Sequence, residues 1–178
     1  MRLALIIGFI AQCALLQAST LIDGLYYDLD MSTRTATVTY EKDGAGNYAS
    51  LPANVKIPKS VEYNGVTYSV TKVANKAFAK CKSLESISIP GTVLQIGETS
   101  GIKDSSPFNN CTALKNVRFE DGEQGLVLGA VYNNVFDGRG LFSDCPLEEV
   151  YIGRNISYQD YSYKDTKDTF QKNCFFRL

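Results

Sequence analysis

Apolar and polar positions follow one scheme three times along the chain. A phenylalanine is followed by a cysteine, then a leucine, then two apolar residues that alternate with polar ones. The first unit carries Phe78, Cys81, Leu84, Ile87 and Ile89, and continues through Gly97. The second carries Phe108, Cys111, Leu114, Val117 and Phe119, and the third Phe142, Cys145, Leu147, Val150 and Ile152. The alternation that closes each unit is that of a short strand buried on one face. It predicts strands near 86–89, 116–119 and 149–152. A strand this short cannot bury its apolar face alone, so the units must stack, each strand pairing in parallel with the next. Fully burying one such Phe, Leu or Ile is worth roughly 1.5–3 kcal/mol, and stacking does this at every repeat position.

The segment before the repeats alternates differently. Thr35 to Tyr40 is rich in β-branched residues, and Asn64-Gly65 between Tyr63 and Val66 is a strong signal for a type I′ hairpin. A small antiparallel β cap is expected here, since a solenoid's first coil otherwise exposes its strand edge and apolar end. Lys42 to Asn54, with Gly44, Gly46 and Pro52, reads as a loop. Leu126 to Leu128 suggests a further strand within a long insertion, with Asn133-Asn134 and Gly138-Arg139-Gly140 as turns. A fourth unit begins at Phe170, with Cys174 one residue late, Phe176 in the leucine position and Leu178 last, and is expected to be incomplete. The expected division is a signal peptide over 1–18, a β cap over 19–70 and repeats over 71–178.

The signal peptide rests on Arg2, the apolar run from Leu3 to Leu16, and Ala18-Ser19 as a cleavage site. The run falls short of the roughly 20 apolar residues that span a bilayer, which weighs against a membrane anchor. Lipid attachment at Cys13 is the lesser alternative, because Gln12 before it is not a small residue. Export to the cell surface or the medium is therefore expected. Lys and Arg total 18 against 19 Asp and Glu, so there is no electrostatic footprint for nucleic acid and no membrane-surface patch. The chain contains no histidine, which removes the commonest general base and the commonest metal ligand together.

In these residues the chain resembles the BspA-like leucine-rich-repeat surface proteins of Bacteroides-type bacteria. The likeness runs through Ala77 to Cys81, Ile89 to Val93, Gly140 to Leu147 and Tyr151 to Ile156, and Val61 to Val70 is similar to that family's opening segment. The resemblance implies a mainly β leucine-rich-repeat solenoid, with short parallel strands and an irregular or short helical convex side. It also implies use in adhesion or macromolecular recognition without catalysis. Two departures stand out: the coil from Glu120 to Arg139 is longer than a minimal repeat, and few repeats are present for an extended binding face.

Cys81, Cys111 and Cys145 share one repeat position, so stacking makes them a ladder about 4.8 Å apart with parallel side-chain vectors. A disulfide needs Cβ atoms about 3.8 Å apart and facing each other, which favours small buried thiols over bridges. No Cys-x-x-Cys pair exists to suggest zinc. Gly44-Ala45-Gly46 lacks the rest of a phosphate loop, and Asp28 to Ser32 lacks the central glycine and closing glutamate of a calcium loop. Glu148 and Glu149 are neighbours that a strand sends to opposite faces. Asn110-Cys111-Thr112 and Asn155-Ile156-Ser157 match the glycosylation tripeptide, an accident in a bacterial chain and a mark of exposed loops in a eukaryotic secretory pathway. No cofactor, metal or catalytic residue is expected.

The polar strand positions should line one continuous face: Ser86, Ser88, Asn116, Arg118, Glu149 and Tyr151, with Ser88, Arg118 and Tyr151 as one row. Arg and Tyr are enriched at interaction hot spots, although a plain solvated sheet surface fits the same pattern. Tyr158, Tyr161 and Tyr163 offer a second surface. The expected partner is a host or bacterial surface protein or a glycan, with weak self-association through the C-terminal end of the stack. A structural or truncated repeat protein without independent activity is the alternative. A carboxylate hydrolase using Asp121 and Glu123 is the weakest reading, since nothing pairs them.

Overall fold

A computed structural model describes residues 19–42, 48, 51–98, 106–129, 141–142 and 144–158. The N-terminal apolar run with Cys13, Gly44 to Gly46 of the expected loop, the turns expected at Asn133 to Gly140, Tyr161, Tyr163 and the unit beginning at Phe170 lie outside these residues.

Every regular element among the described residues is a strand. In chain order they are β1 (Thr20–Ile22), β2 (Leu25–Asp30), β3 (Thr35–Thr39), β4 (Asn54–Lys56), β5 (Ser60–Tyr63) and β6 (Val66–Val73). There follow β7 (Ser86–Ile89), β8 (Gln95–Ile96), β9 (Asn116–Phe119), β10 (Leu126–Leu128), β11 (Glu149–Ile152) and β12 (Ile156–Tyr158). The strands expected at 86–89, 116–119, 149–152 and 126–128 are β7, β9, β11 and β10. None of the described residues forms a helix that could cross a membrane.

The cap begins as an antiparallel meander, β1-β2-β3, whose first turn places Asp23 at φ 47° and Gly24 at φ 85°. The expected hairpin joins β5 to β6 through Asn64 at φ 51° and Gly65 at φ 74°, both positive as a type I′ turn requires. Cap and solenoid meet where β3 pairs β6 in parallel, with a register shift between Ala36 and Thr37.

Beyond the cap, each repeat gives one strand to each of two parallel ladders. β4, β7, β9 and β11 form a four-stranded sheet, while β6, β8, β10 and β12 extend the larger sheet. The side opposite the first ladder is thus a second ladder, whose strands after β6 are of two or three residues. β4 was not foreseen: it lies in the segment read as loop and cap, yet it pairs in register with β7, Asn54 with Ser86 and Lys56 with Ser88. Sheet stacking therefore starts before the first unit that the repeat scheme shows.

Between the ladders lies one apolar core that runs from Leu25 to Phe142. Its spine is a column of rings. Tyr48, Phe78, Phe108 and Phe142 stack with centroids 5.7, 5.5 and 4.9 Å apart and nearly parallel planes, the three angles being 12°, 3° and 11°. Phe78 and Phe108 are fully buried. Tyr48 ends the column toward the cap, where a phenol has what a phenyl lacks. Its hydroxyl donates to the carbonyl of Thr39 at 2.9 Å and accepts the amide of Tyr26 at 3.0 Å.

The cysteine ladder lies beside this column, with Cys81, Cys111 and Cys145 as free thiols. Each of the last two donates back one coil: Cys111 Sγ to the Phe78 carbonyl at 3.0 Å, and Cys145 Sγ to the Phe108 carbonyl at 3.1 Å. The thiol thus fills a small space and gives a second hydrogen bond to a carbonyl that already accepts an amide within its own turn. Burial pushes the Cys81 thiol up to about 11. The residue before each cysteine turns the chain with positive φ: Lys80 at 65°, Asn110 at 59° and Asp144 at 59°.

Glycines close the corner after β7, β9 and β11. A Cβ on Gly91 would lie 2.4 Å from the Asp121 carbonyl, and one on Gly153 2.7 Å from the Asp121 amide, so the coils touch there backbone to backbone. Arg154 passes beneath this corner, 7% exposed. Its guanidinium donates to the carbonyls of Pro90, Gly91 and Val93 at 3.0, 2.9 and 2.6 Å.

Candidate functional site

The outward positions of the four-stranded sheet fall into two rows, because parallel registry puts equivalent residues side by side at about 4.8 Å. One row is Lys56, Ser88, Arg118 and Tyr151, and the other is Asn54, Ser86, Asn116 and Glu149. All six face residues read from the sequence stand here, and the structure brings them together. Asn54 and Lys56 are two that the sequence reading missed, although Asn54-Val55-Lys56-Ile57-Pro58 alternates as Ser86-Ile87-Ser88-Ile89-Pro90 does. The rows border a shallow groove of about 360 Å³ whose lining Val55, Ile87 and Val117 complete.

Several polar groups on this face are engaged, with each other or with the acidic residues that follow β9. Ser86 Oγ donates to Asn54 Oδ1 at 2.6 Å. Ser88 Oγ donates to Glu120 Oε1 at 2.8 Å, and the same carboxylate lies 3.6 Å from Lys56 Nζ. The Tyr151 hydroxyl donates to Asp121 Oδ1 at 3.0 Å. Against that anchored ring stacks Arg118, its guanidinium carbon 3.7 Å from the ring centroid. Such a stack is a cation–π contact worth about 0.5–1 kcal/mol at an exposed site. It also restrains a long side chain and leaves the edge of the guanidinium fork turned away from the ring. At the rim, Lys115 pairs with Glu148 at 2.7 Å, and that hydrogen bond raises the lysine's pKa.

A second groove, of about 500 Å³, opens at the strand-end corner between Lys59, Ser69, Thr92, Asp121 and Glu123. Asp121, once a candidate for acid–base work with Glu123, holds the Tyr151 hydroxyl instead. Among the described residues no group of three or more Cys, Asp and Glu is placed to hold a metal ion.

Comparison with known proteins agrees with this architecture. The family described as "BspA type Leucine rich repeat region" matches residues 59–170, in 6 copies. No curated protein matches the chain. Among solved structures it is similar to a leucine rich cell surface protein from Faecalibacterium prausnitzii, with 21% identity and a TM-score of 0.51 over 80% of this chain and 32% of that one. It also resembles a leucine-rich repeat protein from Bacteroides ovatus, with 21% identity and a TM-score of 0.46 over 78% of this chain and 37% of the other. The chain thus spans about a third of the length of these two structures. Likeness at this level concerns the fold, whereas the family match covers most of the stacked coils described above. The chain belongs to the BspA-type leucine-rich-repeat family.

Proposed function

We propose that this protein is an exported, non-catalytic binding module, acting at the cell surface or in the medium, whose four-stranded sheet recognises a protein or glycan partner. One observation carries the reading: Arg118 stacked on Tyr151, itself anchored to Asp121, in a row that also holds Lys56 and Ser88. A sheet surface that is merely solvated has no need to order its arginine. Arg and Tyr anchors surrounded by small polar groups are the composition of an interaction hot spot.

The experiment is a capture screen of surface proteins and an immobilised glycan panel with the chain from Ser19 onward. Its control is the Arg118→Ala/Tyr151→Ala double variant. A ligand retained by the native chain and lost by the folded double variant supports the reading, and ligands held equally by both contradict it.

The outer edge of β11 supports a second, weaker contact. Ile152 is 53% exposed, while its register equivalents Phe119 and Ile89 are fully buried. Self-association through this edge should weaken when Ile152→Lys places a charge there. Sedimentation showing a monomer at every concentration, with or without the substitution, contradicts it.

A further inference from the structure

We propose that Asn64 is a site of spontaneous covalent modification, where the Gly65 amide nitrogen cyclises onto the Asn64 side chain and water reopens the ring to aspartate or isoaspartate. The inference concerns the cap and is independent of the sheet face. Asn64 and Gly65 are the two exposed turn residues of the β5–β6 hairpin. A Cβ on Gly65 would meet nothing within 4 Å, so no neighbouring atom crowds its nitrogen. Among the described residues the Asn64 side chain makes no hydrogen bond, and the Gly65 amide has no backbone acceptor.

The following residue's amide nitrogen is tethered beside an asparagine's Cγ, so the reaction is intramolecular. Hydroxide takes the Gly65 amide proton and the nitrogen attacks Asn64 Cγ. The bond from Cγ to Nδ2 breaks as the new one forms, and ammonia leaves with a proton returned by water. A second water then opens the succinimide. Attack at Cγ gives aspartate, whereas attack at the main-chain carbonyl gives isoaspartate, whose main chain runs through Cβ. No oxidant or metal is required. Asn64 must first rotate out of its positive-φ turn conformation, at 51°. Such an opening lies at the low end of local stability, because both turn residues are exposed.

Glycine supplies no Cβ to shield the attacking nitrogen, which sets Asn64 apart. Asn54 and Asn116 precede β-branched Val55 and Val117, which are held inside the parallel ladder. Asn75 is fixed by the Glu98 amide, which donates to its Oδ1 at 2.9 Å. The β1–β2 hairpin shows what the two products would do. Its turn is Asp23-Gly24, with φ of 47° and 85°, so an aspartate fits this geometry and leaves a hairpin intact. Isoaspartate instead adds a carbon to the main chain between Tyr63 and Val66, which a two-residue type I′ turn does not accommodate. The pairing must then shift, and with it the next pair in the hairpin's buried face, Val61 and Tyr68.

Holding the folded chain at mildly alkaline pH and mapping its tryptic peptides by mass tests the proposal. The fragment 60–72 should gain the mass that exchanging an amide NH2 for a hydroxyl adds, faster at higher pH and before any other asparagine changes. An isoaspartyl methyltransferase should label the same fragment, and Asn64→Gln should abolish both signals. The labelled chain should unfold at a lower urea midpoint than the fresh one, whereas Asn64→Asp should unfold at the native midpoint. Conversion in the urea-unfolded chain with none in the folded chain would show that the turn protects Asn64, and overturns the proposal. Earlier conversion at another asparagine overturns it as well. An isoaspartate form that unfolds at the native midpoint overturns the shift in pairing.

Discussion

The guanidinium of Arg154 meets the carbonyl of Pro90 at 3.0 Å, although 64 residues separate them in the chain. Between the two lies a whole coil. Gly122 passes so close that a Cβ on it would sit 3.3 Å from Arg154 Cδ. Arg154 thus ties the corner of the third repeat to that of the first through three carbonyls, of which that of Pro90 also accepts the amide of Val93. Burial lowers its pKa, and the nearby Glu120 opposes that shift, so the charge is retained at a solvation cost that the three bonds offset.

Replacing Arg154 with leucine removes the donors to the carbonyls of Gly91 and Val93, while that of Pro90 keeps the amide of Val93. A loss of about 2–4 kcal/mol is expected, from the usual cost of leaving buried acceptors unsatisfied. Urea unfolding measures it. A loss below about 1 kcal/mol would mean that water replaces the guanidinium without difficulty.

The column of rings is the second test of the stack. Phe108 has a ring above and a ring below, at 5.5 and 4.9 Å, and is fully buried. Phe108→Ala should destabilise by about 3–5 kcal/mol as a large-to-small change in a packed core. The same measurement on Tyr48→Phe should show a loss of about 1 kcal/mol, because it removes only the hydroxyl that bridges Tyr26 and Thr39.

The rings and the strands were legible in the sequence because both are periodic. Phe78, Phe108 and Phe142 repeat with their cysteines, and Ile87 and Ile89 alternate as β7 does. Tyr48 was not legible. The coil that carries it is shortened, with Leu51 only three residues on, and has no cysteine to mark it. β8 escaped for a similar reason, since two residues carry no detectable alternation. The face residues followed from strand parity alone. The stacking of Arg118 on Tyr151 did not, because rotamers depend on the neighbouring rung and on Asp121 beyond it.

Lys80 occupies a turn position that Asn110 and Asp144 fill in the next two coils, all at φ near 60°. Asn and Asp tolerate that region better than a lysine, whose left-handed conformation costs about 1–2 kcal/mol. Lys80 is exposed, so Lys80→Asn changes little else. The substitution is expected to stabilise the fold by about 0.5–1 kcal/mol, read as a raised urea midpoint with an unchanged slope. An unchanged midpoint would show that the surrounding turn, not the residue, sets the strain.

Stability should fall on the alkaline side. Burial raises Cys81 from 9.0 to about 11 and pushes Tyr27 and Tyr48 up as well. The hydrogen bond with Cys145 and burial do the same for Cys111. A raised folded-state pKa leaves stability complete below the unfolded value of about 9 and removes it as pH climbs toward 11, because the unfolded chain releases the proton first. Unfolding at pH 7.5 and pH 10 checks this, and Cys81→Ser should flatten part of the decline. Asp30 acts at the other end. Hydrogen bonds from Ser32 and Thr33 hold it at about 2, below its ordinary 3.8, so its contribution is present above about 4 and disappears as pH falls toward 2.

Recognition through the four-stranded sheet is tested most directly by hydroxyl-radical footprinting of the chain with and without a captured ligand. Tyr151, 37% exposed, stands on the proposed face, whereas Tyr63 at 41% and Met31 at 75% stand on the cap. Ligand should slow oxidation of Tyr151 while Tyr63 and Met31 react as before. Protection of Tyr63 or Met31, with Tyr151 unchanged, would place the partner on the cap and contradict the assignment of the sheet face.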